Sequence, residues 1–463
     1  MLSALFQRIK NCNLQLALVV LTILICITVE FYIFYPGILY ADAKYQYHQA
    51  AANNIVALNP PLNTYLWSII FLFTKNPAAM LLIQIFLIWA TVYIYYRAYQ
   101  KEHPWISLLF FLVPLMPTVL NYSVLITKDV HLTFFLALTG ALLTYISNKK
   151  NRITIPYLIL IWVPLLLGIS SKIIGYKLLI PMALWFAKIV KDNSDFWCFK
   201  TLARGFTTTI ISIMCTINLA NYLIVKADYE NNGWQMIKLC DLAGMSFDTG
   251  QTLFPDYIIK NPIYNDQKMR KLYNENKHLN CDPLIFTYSN QNVLALTQNP
   301  HDLNELWLYW TRSIIKYPQA YIKHRYLFYK ALLKSELRIY FTGWNLAEYP
   351  WQDNRWNLLA KKYMLAYMKY SPVIYHLPFM VIYCLTGLYI YYRSKSKGGF
   401  NLFSTNLVAL TNMLALFSFT MAIEPRYNFI AITLVYLTTP IFIMEVIDYW
   451  KSLPKGTSSP KFN

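Results

Sequence analysis

With 57% hydrophobic residues, 17% aromatic and only 14% charged, this chain of 463 residues is too apolar for an ordinary soluble protein. Its repeated runs of near-bilayer length mark a polytopic, all-α membrane protein. Its 41 basic residues outnumber the 22 acidic ones, but they punctuate the apolar runs instead of forming one block, which argues against nucleic acid and for loop charges that set orientation.

The first apolar run, Leu14 to Tyr35, is too long for a signal-peptide core and lacks a small-residue cleavage site, so it reads as a retained span. The chain then sets a lone carboxylate beside the lipid boundary, in Tyr35-Pro-Gly-Ile-Leu-Tyr-Ala-Asp42-Ala-Lys-Tyr-Gln-Tyr-His48, and reaches Asn59-Pro60-Pro61-Leu62. An acid in a short loop between hydrophobic segments has no core to build. Asp42 is therefore the first candidate for a chemical role, against a solvated interface carboxylate or a helix cap. Leu62 to Thr74 is apolar but short of the roughly 20 residues that cross a bilayer, and reads as a helix lying at the interface. Spans follow at Ala78 to Tyr96, Trp105 to Leu120, Val130 to Ile146, Ile155 to Ile169, Ile173 to Val190 and Phe206 to Val225. After a polar interval come Val373 to Tyr392, Leu407 to Ile423 and Phe429 to Val446. Residues 1–225 thus form a membrane module of seven spans, 226–371 an extracytoplasmic domain, and 372–463 a module of three spans with a cytoplasmic tail.

Charge supports this ten-span map with the N-terminus inside. The cytoplasmic side then receives Arg8/Lys10, Arg97/Lys101, Lys149/Lys150/Arg152, Lys188/Lys191/Lys200/Arg204, Arg393/Lys395/Lys397 and Lys451/Lys455/Lys461. Counting Leu62 to Thr74 as a span would move the later clusters outside, against the positive-inside rule. Asp42, Lys128-Asp129, Lys172 and Glu424-Pro-Arg426-Tyr427 all fall on the outer face, which the same rule should strip of basic residues. Each alone has a plainer reading: Asp129 as a helix N-cap, Lys172 as a snorkelling lysine, Arg426 as an interface anchor.

That face narrows the chemistry. The chain has no Gly-rich phosphate loop and only 13 glycines, and nucleotide fuels are cytoplasmic, so an activated substrate would arrive through the lipid. A polyprenyl-phosphate sugar meets the need: its phosphate is both leaving group and anion for Lys or Arg, while a carboxylate deprotonates an acceptor hydroxyl.

An Asp in the first outer loop, Pro60-Pro61-Leu62 leading into an interface helix, Thr127-Lys128-Asp129 closing the second outer loop and a late Glu424-Pro-Arg426-Tyr427 together resemble the C-type (GT-C) membrane glycosyltransferases. The likeness is greatest to the branch holding protein O-mannosyltransferases and the aminoarabinose transferase of lipid A. The resemblance implies that Asp42 is the first-loop catalytic acid, Asp129 the second-loop acid, and Arg426 the late basic residue; Lys128, Lys172, Glu424 and Tyr427 are further substrate-binding candidates because they share the same outer face. Many relatives pair the first-loop Asp with Glu and place His before Pro-Pro; here the neighbours are Ala41 and Ala43, and the residue is Asn59. A lone acid is a poor divalent-ion site, and no HExxH or Cys/His cluster offers a transition-metal site, so transfer without a metal or other cofactor is expected. Glu30, near the outer end of the first span, either contributes or reaches for the interface.

In the outer domain, Trp307 to Tyr317 and Tyr321 to Leu333 read as aromatic-rich helices that pack on lipid, cover the active site or form an ordinary core. Cys240 and Cys281 stand alone there, where an oxidising compartment permits a bridge. The expected protein is a glycosyltransferase of the bacterial cytoplasmic membrane, acting outside on a glycolipid, glycan or protein acceptor. A transporter or flippase of lipid-linked saccharide, and an oligosaccharide ligase, are the alternatives.

Overall fold

The computed structural model describes residues 2–55, 61–149, 155–192, 214, 233–276, 280–286, 292–333, 346–370 and 377–452. The expected span Phe206 to Val225, Asn59-Pro60, the domain boundaries at 225/226 and 371/372, and the tail beyond 452 lie outside them.

The chain is a helical membrane protein. Among the described residues, five helices are long and apolar enough to cross a bilayer: Leu14–Phe34, Ala78–Tyr99, Lys128–Lys149, Lys397–Phe419 and Pro425–Ser452. Each corresponds to one of the ten expected spans. Trp105 to Leu120 is instead a 3-10 turn, Ile106–Leu112, and a helix, Pro117–Ser123, meeting at 45°. Pro114 and Pro117 withhold two amide donors there and break the run. Ile155–Ser171 is one 17-residue helix, with Pro164 inside it. The expected span Ile173 to Val190 is a 3-10 turn, Ile173–Leu178, followed by the 14-residue helix Leu179–Asp192. Leu377–Ser394 overlaps the Val373 to Tyr392 segment and runs two residues past it. Most of Leu62 to Thr74 is the 11-residue helix Pro61–Phe71, too short to cross.

Lys128–Lys149 is the centre of the bundle. It packs against Ala78–Tyr99, Ile155–Ser171 and the last helix, and small residues let these neighbours come close. A Cβ at Gly140 would lie 3.3 Å from the Tyr95 hydroxyl, and one at Gly168 3.1 Å from Phe135 Cβ. The first span is peripheral, turning Leu14, Leu18, Leu21, Leu24 and Ile25 outward as lipid-facing surface does. Glu30 is buried rather than at the interface: it accepts hydrogen bonds from Trp89 Nε1 at 2.8 Å and Ser123 Oγ at 2.9 Å. The carboxylate thereby joins three helices in a medium that cannot hydrate it.

One expected boundary moves in a way that matters for the site. Leu407 to Ile423 was read as a single span, but the helix starts at Lys397 and stops at Phe419. Ser396 caps its start, its Oγ accepting from the Gly399 amide at 2.8 Å. Thr420–Ile423 leave the helix and join the domain expected outside, where Met421 and Ile423 pack on that domain's own core.

That core gathers Leu239, Leu242, Met245, Phe254, Met269 and Leu306 from helices Trp234–Thr249, Asp266–Glu275 and Pro300–Lys316 and the segment between. The two expected aromatic-rich helices, Trp307 to Tyr317 and Tyr321 to Leu333, are the later parts of the longer helices Pro300–Lys316, which Tyr317 ends, and Pro318–Leu333. Asn299 caps the first through the His301 amide, with Pro300 in the first turn. Cys240 and Cys281 are disulfide-bonded. Beside them Asp241 accepts from Arg325 at 2.7 Å and from Trp310 at 2.8 Å, and His324 lies 3.2 Å away. Burial lowers the His324 pKa; its Nε2 faces Asp241 and its Nδ1 shares a hydrogen bond with the Tyr273 hydroxyl.

Candidate functional site

The site begins with a turn that only glycine fits. Gly37 has φ +88°, and a Cβ there would meet Ile126 Cδ1 at 2.9 Å. The turn lets Ile38–Leu39 pair in parallel with Leu125–Ile126, in the register Ile38 to Leu125 and Leu39 to Ile126. This ladder of two residues per strand is the only sheet among the described residues. Two helices start directly beyond it, Ala41–Ala51 on one strand and Lys128–Lys149 on the other. Asp42 and Asp129 occupy their first turns, where helix dipoles favour carboxylates.

Three cations meet these acids, Lys128 from the start of the helix that carries Asp129 and two from elsewhere in the chain. Lys128 Nζ is 3.1 Å from Asp42 Oδ2. Lys172, at the junction after Ile155–Ser171, forms a buried ion pair with Asp129. Arg426 bridges the two acids, with Nη2 3.7 Å from Asp42 Oδ2 and Nε 3.6 Å from Asp129 Oδ2. Its guanidinium lies 4.1 Å over the Tyr40 ring, and Lys172 Nζ lies 4.0 Å over Tyr427. Burial alone would raise the Asp42 pKa, but Lys128 and Arg426 outweigh it and hold the carboxyl at about 2.

Five of the seven sequence-derived candidates thus share one ion-pair cluster, Tyr427 forms its aromatic wall, and Glu424 opens the turn carrying Arg426. The plainer readings of three residues do not describe their places. Asp129 lies inside the first turn and pairs with Lys172; Lys172 is buried, and so is Arg426. Nε and Nη1 of Arg426 are buried without a hydrogen-bond partner among the described residues. Buried guanidinium donors left open in this way are a place for an oxyanion.

No protein-family model, curated protein or solved structure matches this chain.

Two participants escaped the sequence reading. Asn63, in the interface helix, donates to the Ser171 carbonyl at 3.0 Å and faces His131 Nδ1 at 3.2 Å through its own oxygen. It fastens that helix to the residue before Lys172. Asp282, from the outer domain, lies within electrostatic reach of Asp42, Glu424 and Arg426. Neither sits in a distinctive motif; the Cys before Asp282 was the one available signal. Among the described residues, the group with metal-ligand spacing is His301, Asp302 and Glu305, whose ligand atoms lie within 4.8 Å of one another. It belongs to helix Pro300–Lys316 and shares no residue with the cluster.

Proposed function

We propose that the chain is a GT-C-type glycosyltransferase of the bacterial cytoplasmic membrane. It would move a sugar from polyprenyl phosphate to a glycolipid, glycan or protein acceptor on the outer face. The supporting observation is the Arg426 guanidinium, buried between Asp42 and Asp129 at the ends of membrane helices with two donors open. A lipid-borne phosphate can reach such a place within the membrane, and a guanidinium binds it through paired hydrogen bonds.

In the proposed reaction the phosphate lies on Arg426, with Lys128 and Lys172 beside it. Asp42 takes the proton of the acceptor hydroxyl as the acceptor oxygen bonds to the anomeric carbon. The bond from that carbon to the phosphate oxygen breaks, and its electron pair leaves with polyprenyl phosphate, whose charge the cations stabilise. Asp129 holds Arg426 and Lys172 in place. No metal is called on in this scheme.

The test is transfer of labelled sugar from polyprenyl phosphate by purified protein in liposomes. Transfer supports the reading. Movement of lipid-linked saccharide across the bilayer without transfer would favour the transporter, and acceptance of preassembled oligosaccharide alone would favour the ligase.

A further inference from the structure

Asp282 reaches the cluster from a different body of the protein. It opens the short helix Asp282–Ile285, directly after Cys281, which the disulfide fixes to Cys240 on helix Trp234–Thr249. Asn280 forms an antiparallel bridge with Ala422. The Cys281 amide donates to the Met421 carbonyl at 3.0 Å, and the Asp282 amide donates to Asn280 Oδ1 at 2.9 Å. Arg325 adds a second fastening, donating to the Thr420 carbonyl at 2.6 Å. Glu424 and Arg426 follow Ala422 almost at once in the chain, so this backbone pairing puts Asp282 alongside the segment that delivers the guanidinium.

The ion pairs of Lys128, Lys172 and Arg426 go to Asp42 and Asp129, and none goes to Asp282 among the described residues. Its carboxyl is part-buried, with Asp42 and Glu424 as like charges and Arg426 as the opposing one. A carboxylate so placed repels phosphate, yet it is a strong acceptor for hydroxyl groups. The cations come from the membrane helices and their junctions, Asp282 from the aqueous domain. A lipid-linked sugar with its phosphate on the cations would carry its hydroxyls toward that domain.

We propose that Asp282 is a sugar-binding carboxylate of this site, accepting a hydrogen bond from a hydroxyl of the donor sugar or of a saccharide acceptor. The inference rests on the glycosyl-transfer reading. Burial first, then Asp42 and Glu424, push the Asp282 pKa up to about 6, with Arg426 opposing. The group is therefore an ionised acceptor at neutral pH and loses that capacity in mild acid.

The experiment compares wild type, Asp282→Asn and Asp282→Glu in liposomes. It measures binding of polyprenyl phosphate, binding of polyprenyl-phosphate hexose, and transfer of labelled hexose to an envelope glycolipid extract. If the hydroxyl belongs to the donor, Asp282→Asn weakens hexose-lipid binding by about tenfold or more relative to polyprenyl phosphate, whose own affinity holds or rises because the sugar contact and a charge that repels phosphate are lost together. If it belongs to the acceptor, both affinities hold and transfer falls by about tenfold or more, with Asp282→Glu recovering part of it. Equal weakening of both lipids would mean that Asp282 acts only through Arg426 or the fold, and would overturn the inference. So would transfer and both affinities within about twofold of wild type. If wild type binds hexose-lipid but transfers nothing, the transfer reading falls by itself; selective loss of hexose-lipid binding in Asp282→Asn then sustains a donor-sugar contact, and unchanged or equally changed affinities overturn the inference.

Discussion

Asp42→Asn separates the two jobs the cluster is proposed to do. The substitution keeps the shape of the side chain and removes its charge, so the Lys128 contact at 3.1 Å and the Arg426 contact at 3.7 Å lose their counterion. At an effective dielectric of about 20, Coulomb's law gives each contact on the order of 4–5 kcal/mol before desolvation and solvent screening are subtracted. Asp42 and the donor phosphate compete for the same two cations, so removing the carboxylate removes the competitor. If a net ~1.4 kcal/mol of that competition survives screening, polyprenyl phosphate binds Asp42→Asn about tenfold more tightly than wild type. Transfer should fall by about 10²–10⁴-fold, the usual contribution of a positioned general base. Binding is read by titrating fluorescent polyprenyl phosphate into protein in detergent, and transfer by labelled sugar in liposomes. Binding weakened tenfold would refute the competition, and near-normal transfer would remove Asp42 from the reaction.

The remaining predictions address the cation, the outer domain and pH. Arg426→Lys keeps one charge but loses the planar fork and the stacking on Tyr40, and should weaken polyprenyl phosphate binding by about tenfold in the same titration. Asp241→Asn leaves the fully buried Arg325 without its counterion and should cost the outer domain about 3–5 kcal/mol, seen as faster proteolysis in helices Trp234–Thr249 and Pro318–Leu333. The Asp42 carboxyl titrates at about 2 in the folded protein and near 3.9 when unfolded. Its contribution is therefore fully present above the unfolded value and lost as pH falls through the folded one. The difference in melting temperature between wild type and Asp42→Asn should be flat from neutral pH to about 5, then shrink toward pH 2.

The sequence made much of the cluster legible because membrane orientation is written in charge. Basic residues are expected inside, so Lys128, Lys172 and Arg426, which the charge map assigns to the outer face, call for a reason before any distance is known. What stayed hidden depends on contacts that have no local signature. Asn63 is an ordinary polar residue in an apolar helix until its bonds to Ser171 and His131 are seen. Asp282 becomes informative only through the pairing of Asn280 with Ala422, two segments far apart in the chain. The span ending at Ile423 was misjudged because Met421, Ala422 and Ile423 are as apolar as a membrane helix. Their burial lies in the outer domain instead. Lys397 was read as a loop charge, but it begins a helix and donates to the Ser147 carbonyl at 3.0 Å.

The ladder between Ile38–Leu39 and Leu125–Ile126 bears on how the protein is made. Chains emerge from the N-terminus onward, so Asp42 and Lys128 can be brought together by this pairing while most of the polypeptide is still unsynthesised. Lys172 follows, and Arg426 arrives only with the last membrane helix. Until then the nascent protein holds its two acids against two lysines, a balanced set with little pull on passing phospholipid head groups. Insertion of the final helix adds the Arg426 guanidinium between the two acids, so the proposed phosphate-binding residue would join the cluster at the end of biosynthesis.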